Sequence, residues 1–178
     1  MQPSQSSSIR PALALLQKTP VLLETMLAGL SFDLLRWKPA PDRWSISEVL
    51  SHLADAEELF SDRVRRFVVE DSPLLKKHEQ PSEGYSQGTS QEHLSHFTHA
   101  RRGNLQFLNA APPEIATRTA EHSEIGKITL EQMLNEWASH DLGHVRQIAE
   151  LYRAYVQLPP VAKAMPMPKA SARKRKSK

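Results

Sequence analysis

The chain contains no cysteine. That excludes a disulfide framework, a thiolate nucleophile and any metal site built on sulfur, and it fits a reducing compartment. Only six glycines occur in 178 residues, and they form neither a phosphate-cradling loop nor a Gly-x-Ser-x-Gly elbow. Long apolar runs are missing too. Ala12–Leu16 and Val21–Leu30, the second interrupted by Glu24, fall far short of a membrane span. Met1–Arg10 is polar and Ser-rich, without the basic start and apolar stretch of a secretory leader. The expectation is a soluble, cytoplasmic protein with one core and no membrane contact.

Acids are absent after Glu150, whereas seven of the 23 basic residues lie in Lys163–Lys178. The rest of the chain carries 16 basic against 20 acidic residues, so the pI near 9.3 belongs to an appendage and the domain itself is mildly acidic. This argues against nucleic-acid binding through a basic face; only the tail, ending in Arg173–Lys178, offers weak contact with a polyanion. Too few large apolar side chains lie in that tail to offset the entropy of ordering it. The expected organisation is a disordered N-terminus over 1–8, a domain over 9–158 and a disordered basic tail over 159–178.

Proline placement partitions the domain. The 13 prolines leave three long free windows, Asp42–Ser72, Ser82–Ala111 and Glu114–Leu158, each able to hold one long helix. Ser45-Ile-Ser-Glu48, Thr89-Ser-Gln-Glu92 and Thr129-Leu-Glu-Gln132 match the capping box, in which side chains satisfy the free amides of a helix's first turn. A further segment, Ile9–Leu30, is helical in composition and ends at Gly29; Pro20 either kinks it or opens a helix capped by Thr19.

Apolar residues recur at helical spacing. The second helix carries Ile46, Leu50, Leu53, Phe60, Val64 and Phe67; the third Leu94, Phe97, Leu105 and Leu108; the fourth Leu130, Leu134, Trp137, Ile148, Leu151, Tyr152 and Tyr155. No run alternates with period two, and no internal repeat is present. The expected fold is all-α: a four-helix bundle with long connecting loops. Connections of about 20 residues allow the second and third helices to run parallel, in an up-down-down-up order, and suggest a functional mouth at one bundle end.

The chemistry concentrates in Glu136-Trp-Ala-Ser-His140-Asp-Leu-Gly-His144-Val-Arg-Gln147. His140 and His144 are one helical turn apart, so both imidazoles can converge on one point. His144 lies four before Ile148 and His140 three after Trp137, which puts the pair on the apolar stripe. Two inward histidines one turn apart suit a metal; buried histidines satisfied by other groups are the plainer alternative. His52, at the edge of the second helix's stripe, is the candidate third ligand. Glu48, Asp55, Glu57 and Asp141 are candidates to orient imidazole N–H groups.

His93, His96 and His99 are spaced by three and drift around a helix, so they cannot share one focus. His78 and His122 fall in connections, the latter within possible reach of the site mouth. Arg65-Arg66 and Arg101-Arg102 read as surface charge. His140-Asp-Leu-Gly-His144 imitates the zincin motif, with Asp141 one carbon too short and no protease context.

These residues resemble the DinB/YfiT-like family of metalloenzymes. The resemblance runs from Trp37-Lys-Pro39-Ala-Pro41-Asp-Arg-Trp44-Ser-Ile-Ser-Glu48 into Leu50-Ser-His52-Leu-Ala-Asp-Ala-Glu57. It resumes at Gly126-Lys-Ile-Thr129 and continues through His140-Asp-Leu-Gly-His144-Val-Arg-Gln147, so that the DinB-like bundle spans 9–158. It implies the up-down-down-up bundle and a divalent metal, nickel or zinc first and iron or manganese next, on His52, His140 and His144. Among relatives are transferases and isomerases that use a low-molecular-weight thiol. Three readings follow: a metal-dependent transferase acting with such a thiol, a metal-dependent hydrolase using bound water, and a non-catalytic, metal-stabilised stress-response or binding module. The expected partners are a small-molecule thiol or another small substrate and, at most, a second copy of the chain as a homodimer. Three imidazoles do not select one metal.

Ending the chain after Pro160 is expected to leave the thermal midpoint nearly unchanged and to move the isoelectric point from basic to acidic. Calorimetry and isoelectric focusing check both; substantial destabilisation would show that the tail packs on the domain.

Overall fold

The structure, a computed structural model, describes residues 8–76 and 88–159. His78, the N-terminus before Ser8 and the tail after Pro159 lie outside them. Among the described residues five α-helices form: α1 (Arg10–Leu27), the short α2 (Phe32–Arg36), α3 (Ile46–Val69), α4 (Ser90–Ala110) and α5 (Leu130–Val156). All three capping boxes close as the sequence suggests, with Ser45, Thr89 and Thr129 each accepting from the amide three residues on. Gly29, at φ +77°, takes the left-handed conformation that ends α1 without a Cβ clash.

The four long helices form the bundle. One apolar cluster joins the N-terminal halves of α1 and α5 to the C-terminal halves of α3 and α4, from Leu13 and Trp137 to Phe67 and Leu108. The other joins the opposite halves, including Leu23, Leu50, Phe97 and Ile148. α1 and α5 therefore run one way and α3 and α4 the other, which is the up-down-down-up order. α4 packs against α3 and α1, and α5 against the same two helices.

A small sheet departs from the all-helical pattern. β1 (Leu74–Leu75) pairs parallel with β2 (Thr119–His122), and β2 pairs antiparallel with β3 (Gly126–Thr129). These strands are too short for alternation to show in sequence, and they close the end of the bundle around Ala120 and Ile128. No described helix is long and apolar enough to cross a membrane.

Pro20 does not start a new helix; it lies buried inside α1, which runs on through it. Lacking an N–H, it cannot bond the Leu16 carbonyl one turn back. That carbonyl instead accepts from Arg101 Nη1 at 2.8 Å. Arg101 is thus not surface charge but fully buried. Its Nε and Nη2 donate to both Glu57 oxygens at 3.0 and 2.5 Å, and Nη1 and Nη2 reach Asp141 at 2.7 and 3.2 Å. One guanidinium so links α1, α3, α4 and α5. Asn104 and Trp137 add donors to Glu57 at 3.1 Å each. Burial works against Arg101's charge, but Asp141 and Glu57 outweigh it and raise its pKa. Burial pushes Glu57 up despite Arg101.

Arg65-Arg66 does lie towards solvent, with Arg66 holding Glu70 and the Leu74 carbonyl. Tyr152 differs from its expected core position, at 48% exposure.

Replacing Arg101 with Met strands two buried carboxyls and should cost about 3–5 kcal/mol. Adding Glu57→Gln and Asp141→Asn should recover part of the loss. Urea midpoints of the single and triple variants measure both effects.

Candidate metal centre

Ser45 and Glu48 set where α3 begins, and Lys38 holds Glu48 at 2.5 Å. His52 follows one turn later and is buried, like Val49, Leu53 and Ala56 on the same helix. His140 and His144 project from the middle of α5 and are partly exposed. The three rings converge, with centroids 5.1 Å apart for His52–His140, 4.6 Å for His52–His144 and 4.5 Å for His140–His144. One nitrogen from each lies within 4.8 Å of the other two.

His52 Nε2 and His140 Nε2 are 3.0 Å apart. Two nitrogens bound to one ion at about 2.0–2.1 Å stand roughly that far apart, but so do the partners in an N–H···N hydrogen bond. The third ring decides the fit. A hydrogen-bonded pair needs no further imidazole, whereas His144 completes a neutral three-nitrogen donor set of the kind that holds zinc or nickel.

The surroundings favour the ligand form. His144 Nδ1–H donates to Gln147 Oε1 at 2.9 Å, leaving Nε2 as the lone-pair nitrogen. Burial, followed by the neighbouring His140, lowers the His144 pKa, so the ring stays neutral further into acid. His140 Nδ1 is buried without a hydrogen bond of normal length, and Asp141 Oδ1 is 3.9 Å from it. Burial would raise Asp141, but the neighbouring His140 and the Arg101 guanidinium outweigh it and keep the carboxyl below its ordinary range. Asp141 thus places a carboxylate beside the imidazoles, which suits a cation. Trp44 covers the cluster, 5.0 Å from His52 and stacked on His144 at 6.2 Å. Phe60 meets His140 edge-on at 5.6 Å.

The structure brings together all three histidines singled out in sequence. Of the four acids considered as partners for these three imidazoles, Asp141 is the one placed beside them, whereas Asp55 acts on His93 instead. Glu48 is committed to the helix cap and Lys38, Asp55 is exposed, and Glu57 serves Arg101. Among the described residues, no carboxylate joins the three imidazoles. His96 and His99 lie on the exposed face of α4 and His93 is partly buried there, while His122 in β2 accepts from the Glu124 amide. Among the described residues, Trp44 in the segment before α3 lies against two of the imidazoles; part of the long α3–α4 connection falls outside the described residues. Sequence reading missed Arg101, Trp44 and Gln147. Arg101 carried a signal: it lies four after Phe97 and seven before Leu108, on the apolar stripe.

The sequence profile of the DinB superfamily matches residues 15–148. The chain belongs to that superfamily. A candidate metal-dependent hydrolase of Oceanobacillus iheyensis is 24% identical over 139 residues, 76% of this chain and 81% of that protein. YfiT of Bacillus subtilis, described as a probable metal-dependent hydrolase with an unusual four-helix bundle topology, superposes with a TM-score of 0.74 at 19% identity. The match covers 86% of this chain and 91% of YfiT. YjoA, a DinB-like protein of the same organism, gives 0.56 at 13% identity over 84% and 94% of the two chains. At these identities the two solved structures share the DinB-like fold.

Metal content measured by elemental analysis should fall from near one equivalent to background in a His52→Ala, His140→Ala double variant, and stay unchanged on replacing His93, His96 or His99. Asp141→Asn should weaken metal binding roughly 10–100-fold. The depressed His144 pKa carries a sign of its own. Its stability contribution is present above the unfolded imidazole value, about 6.5, and is lost as pH falls from there through the lower folded value. The metal-free protein should therefore lose stability across that window, and less so as His144→Gln, in urea titrations at stepped pH.

Proposed function

We propose that the protein is a metal-dependent hydrolase of a small substrate, with one divalent ion held by His52, His140 and His144. The observation that carries this reading is the convergence of three imidazoles with no carboxylate among them. Three protein ligands leave coordination positions for a nucleophile and a substrate oxygen, the mark of a catalytic rather than a structural site. The hydrolase descriptions of the Oceanobacillus protein and of YfiT point the same way. A bound ion supplies Lewis acidity, polarising an acyl or phosphoryl oxygen and lowering the pKa of the nucleophile.

The protein's own groups hold and shape the site. Gln147 keeps the His144 proton on Nδ1. Asp141, itself held by Arg101, steadies the His140 side of the cluster. Trp44 and Phe60 limit water around the imidazoles, which strengthens charge interactions there. Glu48, Glu57 and Asp141 are all committed to other partners, so none is assigned as a proton acceptor.

A low-molecular-weight thiol is the second nucleophile to consider. The chain has no cysteine, so any sulfur at the centre is exogenous, and the same open face would accept it as thiolate. Cobalt substitution separates the two readings. Hydrolysis expects metal-dependent cleavage of small esters or phosphoesters, lost in His144→Ala, without sulfur-to-metal charge-transfer absorption on adding thiols. That absorption near neutral pH, together with metal-dependent thiol consumption, would replace hydrolysis by thiol transfer. A cobalt spectrum insensitive to water, anions and thiols alike would show a closed site and overturn both enzyme readings in favour of a binding module.

A further inference from the structure

A cavity of about 230 Å³ lies between the segment before α3 and the C-terminal half of α5. Its lining includes Arg43, Trp44, Gln147, Glu150, Leu151 and Arg153. Two of these residues also form the wall of the imidazole cluster: Trp44 stacks on His144, and Gln147 accepts from it. The cavity and the candidate metal centre are therefore neighbours across a single layer of side chains.

Its polar groups are unevenly matched. Arg43 and Arg153 bring two guanidiniums, and no carboxylate among the described residues forms an ion pair with either. Gln147 uses its oxygen for His144 and keeps its amide N–H groups as donors. The one acid, Glu150, is already held by Arg146 at 2.9 Å. Donors and positive charge thus exceed acceptors, in a space open enough for small molecules and beside a site that suits a cation. Guanidinium groups match the planar geometry of oxyanions, and the Trp44 and Leu151 side chains offer apolar surface to the remainder of a ligand.

We infer that this cavity is the subsite for an oxyanion, a carboxylate or phosphate group, carried by the small molecule that reacts at the histidine centre. The inference rests on the proposed function and narrows its substrate class to anionic compounds. Arg43 and Arg153 act in it as specificity residues that bind the non-reacting end of the substrate.

The test is calorimetric titration of the full chain, metal-free and cobalt-loaded, with inorganic phosphate and with succinate at constant ionic strength. The metal-free protein should bind at least one of the two, and the pair distinguishes a phosphate from a carboxylate preference. Arg43→Gln and Arg153→Gln should each weaken binding roughly tenfold or more, the double variant should abolish it, and Glu150→Gln should strengthen it. Arg102→Gln, on another face of the bundle, should change nothing. Both arginines are exposed, and unchanged melting curves would show that the variants fold. Binding by the double variant equal to that of the unmodified chain, or no binding of either anion by the metal-free protein, overturns the subsite. Anions that bind only when cobalt is present, and equally in the double variant, lie on the metal; the subsite then fails while the metal reading stands. Failure to load cobalt with arginine-dependent anion binding intact leaves the cavity assigned and removes the metal reading instead.

Discussion

The bundle is organised around one buried guanidinium. An arginine taken out of water is unfavourable unless every donor is answered, and Arg101 finds its answers on three other helices. Glu57 on α3 takes two donors, Asp141 on α5 takes two contacts, and the Leu16 carbonyl on α1 takes one. The last of these exists because Pro20 cannot use that carbonyl within α1. A residue that weakens one helix locally therefore supplies the acceptor that docks it to another. Phe97 and Trp137 lie 4.7 and 5.1 Å from the guanidinium carbon, so its faces are covered as well as its edges.

This network also fixes the relation between α3 and α5 on which the imidazole cluster depends. Glu57 is five residues after His52 and Asp141 is next to His140. Pinning both carboxyls to one rigid, planar group leaves little freedom in how far each helix turns or slides. His52 and His140 then meet at 3.0 Å, and His144 follows from the turn of α5. Asp141 also sets a carboxylate beside a neutral donor set, which suits a cation there. Trp44 completes the arrangement from outside the bundle, because the Ser45–Glu48 cap fixes the angle at which its segment enters α3.

Much of this was legible in the residues. Three capping boxes marked where the long helices begin, since they depend only on side chains three residues apart. The His140–His144 spacing on an apolar stripe pointed to a shared focus, and His52, at the edge of the α3 stripe, supplied the candidate third ligand. Other parts were not legible for physical reasons. Arg101 stands on the α4 stripe, but its partners were not legible, because Glu57, Asp141 and Leu16 lie 40 to 85 residues away in sequence. The strands escaped because two to four residues are too few for alternation to register. The acids considered as histidine partners were equivalent in sequence, and tertiary contacts sent Glu48 to a cap, Asp55 towards His93 on α4 and Glu57 to Arg101.

What the sequence alone determined is therefore local and periodic. It set where helices start, which face of each is apolar, that the three histidines lie on or at the edge of those faces, and that no sulfur ligand can come from the chain. Backbone geometry over a few turns carries all of that. Only the tertiary structure decided that a proline frees a carbonyl for a distant arginine, which acid stands beside His140, and that Arg43 and Arg153 share a cavity next to the histidines. Those outcomes depend on distances between segments far apart in the chain, and such distances arise only when the helices pack.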